Sequence, residues 1–112
     1  MNSEPDLDRA FSALSDPTRR AILARLSGGE TTVSELAEPF SISLPAISRH
    51  LRVLERADLI SQRRDGKFRK CSLNTRGLRG VSDWLTFYQR FWSDSFERLD
   101  AYLTTNPPRK EK

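Results

Sequence analysis

The run from Ser43 to Leu73 constrains this chain most: SLPAISRHLRVLERADLI, followed directly by SQRRDGKFRKCSL. Wound as a helix, Leu44, Ile47, Leu51 and Leu54 fall on one side, while Pro45, Arg49, Arg52 and Arg56 lie opposite with Ser48 and Val53 flanking them. The first part therefore reads as a helix that buries one row of side chains and delivers another outward. The second part contains two short strand-like runs, Leu59–Arg64 and Phe68–Leu73, joined through Asp65-Gly66, and Asp-Gly is a strong two-residue hairpin signal. A short outward-facing helix followed at once by a basic hairpin is the pairing that a winged helix-turn-helix requires.

Charge points the same way. Residues 49 to 70 hold eight Lys/Arg against three acids, a net +5, while the whole chain is +4. The excess positive charge is thus confined to this segment and the remainder is near neutral. Focused positive potential of this kind neutralises phosphates and releases counterions, so a polyanionic partner follows from the clustering more than from the pI of 9.7.

At 112 residues, 30% of them charged and with ample Leu, Ile and aromatics, the chain is expected to form one small folded domain over 1–112. No apolar run approaches the roughly 18 to 20 residues that span a bilayer, and MNSEPDLDRA is unlike a signal peptide, so no membrane partner and a cytoplasmic location are expected. A lone cysteine, Cys71, forms no internal disulfide, which fits a reducing compartment.

Around the central segment the elements are all helical. Residues 1–5 read as a loose leader, and Leu7, Phe11 and Leu14 mark a first helix over about 6–14. Asp16-Pro17 starts a second, with Ile22, Leu23 and Leu26 inward and Gly28-Gly29 as its stop. Thr32 caps a third over Val33 to Glu38, ended by Pro39, and Ser43 caps the fourth. The helix-turn-helix then covers about 33–57 and the wing about 59–73. A fifth helix is expected over about 75–104, with Leu78, Val81, Leu85, Tyr88, Trp92, Phe96, Leu99 and Leu103 at three-four spacing. Trp84, Phe87 and Phe91 add a second apolar edge that one small core would struggle to cover. This surplus predicts a homodimer interface of Leu7, Phe11, Trp84, Phe87, Tyr88, Phe91, Trp92 and Leu99. The tail NPPRKEK is expected to fray. The fold class is mainly α with a small β-hairpin, ordered as four helices, the hairpin and a long last helix.

The N-terminal half of a recognition helix is the part that enters the major groove of double-stranded DNA. Arg49 is the first choice as a base reader, since its fork can take the O6 and N7 of guanine together. Ser48 can bond a base edge or a phosphate, and Ala46 can contact a thymine methyl; Ser43 and Pro45 complete the leading turn. His50, at the edge of the apolar face, either reaches a phosphate or is bonded within the fold. Arg52 and Arg56 either contact phosphate or are merely solvated. Strand alternation prevents all five wing cations, Arg63, Arg64, Lys67, Arg69 and Lys70, from facing DNA together; Arg64, Lys67 and Arg69 are taken as the contacting set, with Lys67 at the tip the firmest choice.

SDPTRRAILARL, then SELAEPFSISLPAISRHLRVLERADLI, then the wing, resembles the ArsR/SmtB family of bacterial transcriptional repressors over roughly residues 7 to 103. The resemblance implies a homodimer built on the first and last helices, binding a two-fold symmetric operator, possible autoregulation included, and it carries Ser48, Arg49 and His50 over as DNA-reading positions. It also assigns Arg19 and Arg20 to the family's DPTRR signature, as backbone anchors or as structural ion pairs. Two departures stand out. Asp58 occupies the place of the glycine that closes the fourth helix in that family. Metal-sensing relatives carry thiols on the third helix, where this chain has Thr32 and Ser34, and the other known site uses His and carboxylates on the last helix.

Zinc and softer metals want His or Cys, so Asp83, Asp94, Glu97 and Asp100 read as a solvated face and no metal or other cofactor is expected. The chain therefore resembles the metal-independent, aromatic-rich branch, for which a small-molecule inducer stays open. With one His, one Cys, no phosphate loop and no evident carboxylate pair, an enzyme is not expected. Cys71 reads as a small buried strand residue or, paired across a dimer, as a redox switch. The competing functions are a winged helix used for protein–protein contact, with the aromatic helix as its binding face, and a non-specific nucleic-acid binder.

Overall fold

The structure, a computed structural model, describes residues 4–105. The expected frayed tail and the first three residues of the expected leader lie outside the described residues, and residues 4 and 5 are already helical. The elements run α1 (Glu4–Leu14), α2 (Pro17–Leu26), β1 (Thr31–Thr32), α3 (Val33–Ala37), α4 (Leu44–Arg56), β2 (Ile60–Asp65), β3 (Phe68–Leu73) and α5 (Thr75–Thr105). They divide into two compact units, one ending at Val81 and one beginning at Ser82.

Local chemistry explains the boundaries of the first unit. Asp16 accepts the Arg19 amide at 3.0 Å and Pro17 opens α2, where its missing N–H costs nothing. Thr32 caps α3 by accepting the Glu35 amide at 3.2 Å, and Ser43 caps α4 by accepting the Ala46 amide at 3.3 Å. Helix α4 ends in a Schellman motif: the Leu59 amide bonds the Leu54 carbonyl and the Asp58 amide bonds the Glu55 carbonyl, both at 3.0 Å. That geometry puts Asp58 at φ 57, the left-handed region where glycine is usual and Asp is among the better tolerated alternatives.

The core gathers Ala13, Ile22, Leu26, Val33, Leu36, Ile47, Leu51, Leu54, Leu59, Ile60 and Cys71. Leu23 and Leu78 pack partly buried against it. Leu44, expected as core on the helical wheel, is instead 55% exposed. It occupies the first helical position, before the buried row begins at Ile47, so the helix enters the core only from its second turn.

The sheet has an extra strand that no pattern in the sequence marks. Two residues, Thr31 and Thr32, pair antiparallel with Cys71 and Lys70, giving the order β1-β3-β2. Strand β2 runs one residue further than the Asp-Gly reading implies, so that Asp65 pairs with Phe68 and the loop is Gly66-Lys67. Gly66 has φ 61 and Lys67 is not left-handed, the pattern of a type II′ turn, with glycine first, rather than of an Asp-Gly type I′ turn.

Helix α5 starts with the Asn74 side chain accepting the Arg76 amide at 2.9 Å. Its first turns belong to the first unit, with Val81 buried. Gly77 lies against the end of α4: its amide donates to the Asp58 carbonyl at 2.9 Å, and a Cβ there would sit 2.5 Å and 2.6 Å from the Ala57 and Asp58 carbonyl oxygens. In the second unit the described large apolar side chains, Trp84, Leu85, Phe87, Tyr88, Phe91, Phe96, Leu99, Tyr102 and Leu103, are all exposed in the single chain. Among the described residues no helix is long and apolar enough to cross a membrane.

A Gly to Ala change inside a helix ordinarily stabilises it, by up to about 1 kcal/mol. Gly77→Ala is expected to reverse that sign and destabilise the protein by about 1–3 kcal/mol, because the added methyl meets fixed backbone. Urea denaturation followed by circular dichroism checks it; an unchanged or raised midpoint would contradict the close approach.

Candidate nucleic-acid interface

Burial of Ile47, Leu51 and Leu54 forces the other side of α4 outward. Pro45, Arg49, Arg52 and Arg56 are exposed, as are Ser43 and Leu44 at the start, while Ala46 and Ser48 are half-buried. The expected outward row is therefore present. Neither Arg49 nor Arg52 has an acid within ion-pair distance among the described residues.

His50 points elsewhere, into the corner between α1 and α2. Arg19 Nη1 lies 3.3 Å from its Nδ1, and Asp16 Oδ2 is 4.0 Å away. The same Arg19 donates through Nε to the Ala13 carbonyl at 2.7 Å and through Nη2 to the Ser12 carbonyl at 3.2 Å. Arg20 donates to the Leu14 carbonyl at 2.7 Å. The two arginines of the DPTRR motif thus satisfy carbonyls that the end of α1 leaves without helical partners, and Arg19 joins that corner to α4. The Arg19 amide bonded to it, with the Arg19 and His50 charges nearby, holds the Asp16 carboxyl below the usual carboxylate range.

Register sorts the wing cations onto two faces. Arg63 pairs across the hairpin with Lys70, and both are engaged by acids: Arg63 donates to the two carboxylate oxygens of Glu30 at 2.8 and 3.2 Å, and Lys70 lies 2.8 Å from Asp65. Arg64 pairs with Arg69 on the opposite face, the face that carries buried Ile60 and Cys71 further down the strands. Among the described residues neither has an acidic partner; Arg69 donates to Gln62 Oε1 at 2.8 Å. Lys67 stands at the tip, its Nζ 5.6 Å from the Phe68 ring centroid. The anticipated set Arg64, Lys67 and Arg69 coincides with the cations that no acid neutralises.

Part of this set meets the helix in one crevice. Ser48 from α4 and Lys67 and Arg69 from the wing line a cavity of about 220 Å³, together with Leu44, Ser34 and Phe68. Leu44 and Phe68 were not among the expected contact residues, and no periodicity could have found them, since what sets them apart is exposure rather than spacing.

In the second unit, the Trp84 and Tyr88 rings meet tilted at 48° with centroids 4.6 Å apart, and Phe87 meets Tyr88 edge-on at 4.9 Å. Phe87 is 75% exposed, and Phe91 and Leu99 are more than half exposed. On α1, Leu7 is half-buried and Phe11 partly exposed. The Trp92 side chain, also expected at the dimer seam, lies outside the described residues.

Comparison with known proteins adds an independent observation. A helix-turn-helix domain profile matches residues 14–63. The chain is 47% identical over 79 residues to the transcriptional repressor SdpR of Bacillus subtilis, covering 70% of this chain and 88% of that one. It is 44% identical over 93 residues to the HTH-type transcriptional regulator Rv2034 of Mycobacterium tuberculosis, covering 83% and 84% of the two chains. A crystal structure of an ArsR family transcriptional regulator superposes with a TM-score of 0.74 at 41% identity, covering 83% of this chain and 97% of that one. The chain belongs to the ArsR family. As an ArsR-family protein it is a DNA-binding transcriptional regulator, and the matched region takes in α2, α3 and α4 of this structure.

Five side chains with donor chemistry remain, four carboxylates and one thiol. The described carboxylates of α5, Asp83, Asp94, Glu97 and Asp100, are exposed, and among the described residues no three His, Cys, Asp or Glu side chains come together as metal donors. Cys71 is fully buried in β3, opposite Thr31 and Gln62, and burial pushes its thiol up to about 11. A thiol so placed is protonated and shielded, the opposite of a reactive one.

Because the folded protein holds the Cys71 proton where the unfolded chain releases it, stability is lost as pH rises from the ordinary value of 9.0 toward about 11. The loss approaches about 1.4 kcal/mol per pH unit at its steepest. Denaturation series at pH 8, 9, 10 and 11 (about one-unit steps across the window) on wild type and Cys71→Ala check this: the variant should show the smaller decline, and parallel curves would contradict it.

Proposed function

We propose that this ArsR-family protein is a homodimeric, sequence-specific repressor that binds a two-fold symmetric operator with two copies of α4 in successive major grooves, about one helical turn apart. The observation that carries this reading is the crevice in which Leu44 and Ser48 of α4 meet Lys67 and Arg69 of the wing, beside a helix whose Arg49 and Arg52 are exposed. Arg49 reads a base edge, Ser48 and Ala46 contact the groove, Ser43 and Pro45 shape the entering turn, and Arg52, Arg64, Lys67 and Arg69 take phosphates. His50 acts by fixing α4 against the α1–α2 corner, with any phosphate contact secondary to its bond with Arg19.

The dimer forms through the apolar faces of α1 and α5, which also makes the whole chain one functional domain. Its support is the continuous exposure of aromatic side chains along α5, an arrangement that isolated water-soluble helices avoid. We read the protein as a metal-independent member with no catalytic role, since His50 is engaged by Arg19 and Asp16, and Cys71 is buried. Regulation then acts on the angle between the two recognition helices, because rotation at the dimer seam changes their spacing.

Fluorescence anisotropy on the DNA upstream of the protein's own gene, against a scrambled duplex, tests the reader. Wild type is expected to prefer the upstream duplex, and Arg49→Ala to lose about 1–3 kcal/mol on it while leaving scrambled binding nearly unchanged. Equal affinity of wild type for both duplexes would favour the non-specific alternative. Sedimentation velocity tests the seam: wild type is expected as a dimer and Phe87→Glu as a monomer with unchanged helicity, whereas a monomeric wild type would remove the homodimer from this reading.

A further inference from the structure

We infer that the crevice between the first turns of α4 and the wing seats a deoxyribose–phosphate stretch of the DNA backbone, with Phe68 as its apolar wall. This rests on the DNA-binding reading above and extends it to side chains outside the outward row of α4. Leu44 and Phe68, 55% and 50% exposed, both line this crevice. About half of each is open to solvent: Leu44 precedes the buried row of its helix, and Phe68 stands across from Asp65, whose carboxylate is taken up by Lys70, with the Lys67 ammonium 5.6 Å from its ring centroid. Ser34, Ser48, Lys67 and Arg69 line the same crevice.

Hydroxyls, cations and apolar walls in so small a space match one partner chemistry closely. Phosphate oxygens take the charged and hydroxyl donors, and the C–H face of the sugar packs against Leu44 and Phe68. A base edge would instead call for paired donors and acceptors. Placement agrees, because a helix in the major groove and a wing in the neighbouring minor groove have between them the phosphodiester strand that separates the two grooves. Charge agrees as well. Arg64 and Arg69 oppose each other directly across the hairpin with no acid in reach among the described residues, a repulsion that a bound polyanion relieves.

The test compares wild type, Phe68→Ala, Phe68→Leu and Lys67→Ala, each full length, on labelled duplexes of about 30 base pairs, one from upstream of the protein's gene and one scrambled, across a salt series. Phe68→Ala is expected to weaken both duplexes by about tenfold with an unchanged salt slope, and Phe68→Leu to recover most of the loss. Lys67→Ala should lower the slope by about 0.9 instead. Wild-type affinity of Phe68→Ala for both duplexes would overturn the inference while leaving the preference for upstream DNA, and so the DNA-binding reading, standing. A loss confined to the upstream duplex would overturn it in favour of base reading, and a changed sedimentation coefficient would overturn it in favour of a protein contact. If wild type binds neither duplex, the underlying reading falls and the inference with it.

Discussion

Three side chains on one face of α4, Ile47, Leu51 and Leu54, carry the constraint on which the rest of the DNA-reading unit depends. All three are fully buried. A helix of 13 residues is marginal on its own, because nucleation is costly and propensity adds little. Burying three such side chains contributes on the order of 5 kcal/mol, enough to decide both that the helix forms and which way it faces. Once that row is fixed, Arg49 and Arg52 have nowhere to go but solvent. The exposure of a cationic row is thus a consequence of apolar burial on the other side, and needs no separate cause.

Polar contacts then set the angle at which this helix is held. Arg19 joins three elements at once, reaching two carbonyls at the end of α1, His50 of α4 and, through its amide, the Asp16 cap of α2. Each such bond contributes only about 1 kcal/mol net, so the corner adds less stability than the core does. Its effect is geometric: a recognition helix must hold its orientation to read a groove, and a planar guanidinium with several fixed donors limits rotation better than a methyl contact would. The wing is ordered by a different kind of pairing. Exposed ion pairs such as Arg63 with Glu30 and Lys70 with Asp65 stabilise little, but they remove two cations from one face and leave the positive potential on the other.

Much of this was legible in the residues. Caps at Asp16, Thr32 and Ser43 are local chemistry, needing only the next three residues, and each falls where the pattern implies. The basic hairpin and the aromatic last helix are likewise written in spacing. Strand β1 was not legible, because two threonines carry no periodicity and pair only since β3 happens to pass alongside. Nor was the exposure of Leu44, since a helical wheel assigns direction without saying how far the partner surface extends. The Asp-Gly signal named the right hairpin and the wrong central residues, a one-residue difference that sets which residues oppose each other, Arg64 meeting Arg69 instead of Lys67.

By itself, the sequence determined the order of the helices and the hairpin, the buried row of α4, the concentration of charge on residues 49 to 70 and the surplus of aromatic surface on the last helix, because each is a property of residues near one another in the chain. Tertiary structure alone decided that His50 turns to Arg19 rather than outward, that Glu30 neutralises Arg63 from 33 residues away, that Cys71 is closed off from solvent, and that Leu44 and Phe68 come to share one crevice with Ser48. These are meetings between distant residues. They depend on strand register and on how closely helices approach, and no local pattern encodes either.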